Sequence, residues 1–134
     1  MKKLVAVPGA LALASAAVVA AAASTTMSFV SVNGPMKTTK TGFVQTNGDF
    51  VGKKKIGTDR LACHLTKQGR ARCLVTVIRP KGTLRATISL TGTASSGTVK
   101  IVGGTGVYKG ATGSGTFKNQ NKSGTKTAVT LTLT

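Results

Sequence analysis

The segment from residue 100 to residue 117 limits the possible folds of this chain more than any other part of the sequence. It joins two β-like runs through glycines at 103, 104, 106, 110, 113 and 115. Glycine lets the backbone adopt positive φ, form β-bulges or approach a neighbouring backbone closely, and a tightly curved small barrel needs all three. A phosphate-binding loop is not indicated, because the spacing departs from the dinucleotide fingerprint and no Gly-Lys-Ser/Thr sequence occurs.

The sequence after residue 23 favours strands, because it is rich in Thr, Val and Gly and poor in Glu. Apolar and polar residues alternate at 84–91 and 129–134, with noisier runs around 27–33, 40–46, 50–56, 58–66, 70–79, 97–103 and 112–119. Turn signals include Asn47-Gly48 and Pro80-Lys-Gly82. We therefore predict an all-β protein, an eight-stranded antiparallel up-and-down barrel that leaves no exposed strand edge.

The run from Ile101 to Gly115 resembles the signature of the dirigent and allene oxide cyclase barrel superfamily, specifically its small secreted bacterial members. Asp49-Phe-Val-Gly52 gives weaker support. The resemblance implies a barrel with a central cavity, often trimeric in plant relatives. Some relatives cyclise a fatty-acid epoxide, some steer radical coupling of phenols, and many bacterial members have no assigned activity. The motif positions are Gly103, Gly104, Thr105, Gly106, Tyr108, Gly110, Gly113 and Gly115.

Residues 1–23 are predicted to be a secretory signal peptide. Lys2 and Lys3 supply the positive start, an apolar run extends from Leu4 to Ala20, and residues 21–23 are three alanines suited to cleavage. A membrane anchor is less favoured, because the run is interrupted by Pro8-Gly9 and has no basic stop-transfer flank. The expected mature chain, residues 24–134, has the length of one domain and would be secreted or associated with the cell envelope.

The only cysteines, Cys63 and Cys73, are predicted to form a disulfide. A hairpin turning over residues 67–70 would place them on opposite strands at disulfide distance. His64 adjoins Cys63, but neighbouring strand residues point to opposite faces and at most three ligands would be available. No metal or other cofactor is therefore expected.

The formal net charge is +17, or +15 without the signal lysines Lys2 and Lys3. Such an imbalance favours anionic partners, for which Lys53, Lys54 and Lys55 are candidate contacts, although a basic solvated surface is the simpler interpretation. Nucleic acid is an unlikely partner, because the sequence has no Trp and one Tyr for base stacking.

Catalytic machinery is sparse, since few groups in the mature chain can titrate near neutral pH. Asp49 and Tyr108 are the catalytic candidates, with Asp49 projecting into a barrel mouth beside Tyr108, although Asn47-Gly-Asp49 also reads as an ordinary turn. Hydrolase arrangements are absent from the sequence.

The sequence is compatible with three functions. The leading interpretation is a secreted binding protein for a small apolar ligand in the barrel or for an anionic cell-surface polymer outside it. The first alternative is a cyclase, isomerase or dirigent-type enzyme acting in the cavity. The second alternative is a self-associating envelope protein that uses outward-facing Leu74 and Ile78.

Overall fold

The computed structural model describes residues 24–91 and 94–134, so the predicted signal peptide lies outside the described residues. This part of the chain contains nine strands and one short 3-10 turn at Lys67–Gly69. The strands are β1 Thr25–Val32, β2 Met36–Thr38, β3 Gly42–Val51, β4 Lys54–Leu65, β5 Arg70–Arg79, β6 Gly82–Thr91, β7 Ser96–Gly106, β8 Gly113–Asn119 and β9 Lys126–Leu133.

Eight of these strands close into an antiparallel barrel, as the sequence predicts. Each strand from β3 to β8 pairs with the next along the chain, and β1 pairs with both β9 and β3. The short β2 occupies the remaining part of the β3 edge, opposite Phe43 to Gln45. Closure pairs almost every strand edge, which suits a sequence of Thr-rich and Val-rich strands.

The turn predicted at Asn47-Gly48 is wrong, because β3 runs through both residues and the chain turns instead at Gly52 and Lys53. The side chain of Asn47 is buried and makes its hydrogen bonds inside the barrel. Gly52 has a φ of 60°, which suits the turn. The Asn-Gly pair is thus held in a strand by tertiary contacts that local turn propensity does not report.

The glycine-rich segment forms the end of β7, the following loop and the start of β8. A β-bulge lies opposite Arg85 and Ala86, where the register of β6 and β7 shifts. Gly106 has a φ of 61°, and its Cα lies so close to the Lys81 carbonyl that a Cβ would collide with it. The loop after Gly106 therefore packs against the neighbouring turn, as expected for a sharply bent barrel.

The barrel core is a cluster of inward-facing aliphatic and aromatic residues, in which Leu84 and Leu131 are fully buried. The predicted disulfide between Cys63 and Cys73 is present and joins directly opposed residues of β4 and β5. Leu74 and Ile78 face outward, with 42% and 40% of their surface exposed. Within the described ranges, no helix has the length and hydropathy needed to cross a membrane.

Candidate ligand-binding site

The barrel encloses a cavity of about 250 Å³. Its wall is mostly apolar, with one polar wall on β1, β3 and β4 and further polar residues, Thr91, Asn119 and Thr127, on β6, β8 and β9. The cavity extends to the end of the barrel that carries the β1–β2, β6–β7 and β8–β9 connections, which we call the mouth end; Asn33, Ala94 and Gly124 line it there. The apolar lining consists of Phe29, Phe43, Leu61, Val75, Val77, Ala86, Ile88, Leu90, Val99, Phe117, Val129 and Leu131.

The opposite end, which we call the closed end, is filled by side chains. Met27, Ile56, Tyr108, Ala111 and Leu133 pack there against the core cluster. The strands reach this end at the turns after β3 and β5 and at the loop after β7. The barrel therefore has a hollow half and a packed half.

The carboxyl group of Asp59 is the centre of the polar wall of the cavity. Its Oδ2 accepts a hydrogen bond from the Ser31 hydroxyl at 2.6 Å, and its Oδ1 accepts one from Asn47 Nδ2 at 2.9 Å. The three side chains are 4–7% exposed, so these bonds form away from bulk water. Asn47 Oδ1 in turn accepts the Gly34 N–H at 3.1 Å, which ties the cluster to the β1–β2 connection.

A second carboxyl group, that of Asp49, lies one inward-facing position further from the mouth end. Asp49 is fully buried, and its Oδ2 accepts a hydrogen bond from Arg79 Nη1 at 2.8 Å. The Arg79 guanidinium also stacks 4.8 Å above the centre of the Phe29 ring. Gly57 lies between these partners, because Asp49 pairs with Gly57 across β3 and β4. A Cβ on Gly57 would stand 2.7 Å from Arg79 Nη1, so the missing side chain lets Arg79 reach across the strand to Asp49.

The environment of Asp49 keeps this carboxyl protonated at neutral pH. Burial away from water raises its pKa to about 8, the adjacent Asp59 carboxylate adds to the rise, and Arg79 only partly opposes it. Asp49 Oδ1 and Arg79 Nη2 are buried side-chain atoms without a hydrogen-bond partner in the described part of the chain. A proton on Asp49 gives its carboxyl a donor toward Asp59, while Oδ2 still accepts from Arg79.

Of the two catalytic candidates from the sequence, Asp49 is inside the barrel and Tyr108 is in the loop after β7. Tyr108 is half-buried and packs against the core at the closed end, and its backbone N–H donates to the Thr105 carbonyl at 3.1 Å. Asp49 makes its hydrogen bond to Arg79 rather than to Tyr108. The groups that the structure brings to Asp49 are thus Asp59 and Arg79.

Sequence reasoning missed Ser31, Asn47, Asp59 and Arg79. A signal for Asp59 exists in the strand pattern, since it has the same parity as Leu61 and Cys63 and therefore shares their face. Arg79 likewise has the parity of Val77 and Val75. A charged residue in phase with an apolar face is informative, because burying it requires a partner.

The remaining predicted residues lie on the exterior. Lys53, Lys54 and Lys55 are exposed at and beside the turn after β3. His64 is also exposed, and its Nδ1 lies 2.8 Å from the Thr41 hydroxyl. Across residues 24–91 and 94–134, no group of three His, Cys, Asp or Glu side chains is arranged to hold a metal ion.

The structure thus defines a small disulfide-linked β-barrel with an apolar cavity and a buried pair of carboxyl groups. No family model and no curated protein sequence matches the chain. Among solved structures it is similar to pyocyanin demethylase, with a TM-score of 0.67 and 23% identity over 82% of this chain and 100% of that one.

Two pterocarpan synthase dirigent proteins are also similar to this structure. The first has a TM-score of 0.59 and 17% identity, covering 83% of each chain. The second has a TM-score of 0.58 and 16% identity, covering 84% of this chain and 94% of its own. The chain therefore has the barrel fold of these dirigent proteins, and the resemblance predicted from the glycine-rich segment is confirmed at the level of the fold.

Proposed function

We propose that this chain is an exported binding protein whose barrel interior holds a small, largely apolar molecule. The single observation that carries the proposal is the cavity of about 250 Å³, with its apolar lining and one polar wall. Ligand sites in proteins commonly have this composition, although many are larger, from about 300 Å³ upward. The ligand is therefore a compact molecule. The disulfide supports export, because such bonds persist in oxidising compartments.

The hydrogen bonds of the polar wall indicate which polar group the ligand carries. The Ser31 hydroxyl and Asn47 Nδ2 donate to Asp59, and Gln45 Nε2 donates to the Gly34 carbonyl at 3.4 Å. The Ser31 hydroxyl proton and one hydrogen of each amide nitrogen are used in these bonds, while lone pairs of Ser31, Asp59 and Gln45 remain free to accept. The oxygens that line the cavity consequently favour a ligand that donates a hydrogen bond, and the Asp59 carboxylate, which faces the cavity while Arg79 does not, disfavours a carboxylate ligand.

Three naphthalene derivatives test this proposal by isothermal titration calorimetry. 1-Naphthol can donate a hydrogen bond, 1-methoxynaphthalene cannot, and 1-naphthoate carries a negative charge. We expect naphthol to bind at least about tenfold more tightly than the methoxy compound, and naphthoate to bind most weakly. Asp59→Asn keeps the shape of the site and should reduce the preference for naphthol. Equal affinity for all three compounds, or the tightest binding for naphthoate, would contradict the proposal.

The second candidate is an enzyme that isomerises or cyclises a ligand in this cavity. The observation that favours it is the carboxyl pair, because Asp49 retains a proton at neutral pH and Asp59 lies between Asp49 and the cavity. A proton could pass from Asp49 through Asp59 to a bound ligand. The names of the similar structures, a demethylase and two synthases, add support at the level of the fold.

Turnover separates the enzyme from the binding protein. A bound compound should be converted to an isomer of the same mass, detected by chromatography. Asp49→Asn should abolish conversion while leaving ligand affinity within about threefold, because Asn has no proton to transfer. Unchanged conversion in this variant would remove Asp49 from the mechanism.

Self-association through Leu74 and Ile78 is the weaker alternative. Thr76 lies between Leu74 and Ile78 on β5. It pairs with Arg60 on one neighbouring strand and with Arg85 on the other, so both arginines lie beside this face. A second copy docked on this face would bring arginines near arginines, and no carboxylate side chain is exposed on the described barrel to compensate them. Like charges at a contact oppose association.

A further inference from the structure

The closed end of the barrel presents one continuous surface made by three connections. These are the turn at Gly52 and Lys53, the turn at Pro80 and Lys81, and the loop over residues 107–112. The loop contacts the second turn, because the Val107 N–H donates to the Lys81 carbonyl at 3.1 Å. Lys55 and Pro80 line the same shallow groove, which links the first turn to the second.

Each connection sets a protruding apolar residue beside a lysine. Val51 is 54% exposed and Val107 is 66% exposed, and both aliphatic side chains lie at this same end of the barrel. The six residues that define this basal surface are Val51, Lys53, Pro80, Lys81, Val107 and Lys109.

The charges of the basal surface have no compensation on the protein. The only two acidic residues of the sequence, Asp49 and Asp59, are both inside the barrel. An anionic lipid bilayer complements both features of the surface, since each lysine near it gains about 1 kcal/mol and aliphatic side chains can enter the interfacial region. A soluble polyanion can pair with the lysines but gives Val51 and Val107 no apolar environment.

The position of the cavity favours docking through the closed end, which carries the basal surface. The cavity reaches the other end, near Asn33 and Gly124. We propose that the basal surface docks the barrel on an anionic lipid bilayer with the mouth end facing away from it, so that the cavity stays accessible. This docking is independent of what the cavity binds.

Vesicle binding by residues 24–134, which contain the whole barrel, tests the proposal. The probe is sedimentation with phosphatidylcholine vesicles, with and without phosphatidylglycerol. Reversing Lys53, Lys81 and Lys109 to glutamate should weaken binding to the anionic vesicles by on the order of 100-fold or more. Reversing Lys40, Lys67 and Lys122 at the mouth end changes the net charge equally and should weaken binding by less than about tenfold. Equal losses in the two variants would show that only net charge matters and would overturn the proposal.

The valines separate a bilayer from a soluble polyanion. Val51→Ser together with Val107→Ser should lower affinity for anionic vesicles by about fivefold or more and leave affinity for heparin unchanged. The matched control is Met36→Ser together with Leu65→Ser, two exposed apolar residues outside the basal surface, which should leave vesicle binding unchanged. Vesicle binding of the valine variant that equals wild type would assign the lysines to a polyanion in solution. Thermal unfolding of each variant checks that the barrel is intact.

Discussion

The interior and the exterior of this barrel carry opposite kinds of charge. Inside are both acidic residues of the sequence, together with Arg79. Outside, every other lysine and arginine of the described residues is exposed. The two acidic residues therefore do not neutralise the surface cations. They make their hydrogen bonds and ion pair inside the barrel. The comparison shows that the net charge of +15 that remains without Lys2 and Lys3 is the sum of two separate populations: a cationic shell and a small polar site with its own pairing.

The largest effect that tests this comparison should come from Asp49→Ala. The substitution leaves the Arg79 guanidinium buried without its carboxyl partner, and arginine cannot lose its proton in response. Because Asp49 is protonated at pH 7, the loss is that of a hydrogen-bond acceptor for a buried cation, and we expect the free energy of unfolding at pH 7 to fall by about 2–3 kcal/mol, measured with denaturant. The matched exterior change, Arg85→Ala, should alter it by less than about 0.5 kcal/mol. Similar losses in the two variants would remove the distinction between the interior and exterior charges.

A change of intermediate size, at most about 1.4 kcal/mol for each pH unit, is expected from pH. The folded protein binds a proton on Asp49 up to about pH 8, whereas the unfolded chain releases it near 3.8. The folded state therefore holds more protons between these values, and the free energy of unfolding should decrease as pH rises from about 4 to about 8. Unfolding curves at several pH values measure this slope. Asp49→Asn should flatten it, and a slope that survives this substitution would assign the titration to another group.

The smallest effect should follow from placing an acid on the exterior. Thr76 lies between Arg60 and Arg85 on neighbouring strands. Thr76→Glu supplies a cross-strand partner for both arginines and should stabilise the barrel by about 0.2–1 kcal/mol at low salt. Thr76→Gln is the control for shape and should show no such gain. If Thr76→Glu and Thr76→Gln have the same free energy of unfolding at low salt, repulsion between Arg60 and Arg85 does not destabilise the barrel.

The sequence predicts the architecture because the features that specify it are local. Alternation at 84–91, the glycine-rich segment and the spacing of Cys63 and Cys73 each act over a few residues, and the structure confirms the strand, the bulged connection and the disulfide. The turn predicted at Asn47-Gly48 is wrong because its signal is also local. Its local preference is outweighed by hydrogen bonds from Asn47 to residues 12 and 13 positions away in sequence.

The candidate site is harder to predict, because its members come together only across strands. Ser31 and Asp59 are 28 positions apart, and Asp49 and Arg79 are 30 apart. Strand parity could have placed Asp59 and Arg79 on inward faces. The contact of Arg79 with Asp49 also depends on Gly57 lying between them in the register of β3, β4 and β5. Register depends on bulges such as the one beside Asp49 and Phe50, which no local pattern specifies.

The pairing of β1 with β9 has a consequence for the order in which the chain can fold. It joins Thr25 to Leu133. The edge of β1 that faces β9 therefore stays unpaired until β9, the last strand, has been synthesised. Ribosomal synthesis, or threading through a translocation pore, delivers these residues at opposite ends of the process. Until β9 emerges, β1 and β8 keep unpaired backbone edges, the state in which strands pair with other chains. Completion of the barrel is therefore a late event, slowed by the large chain separation of its closing contacts.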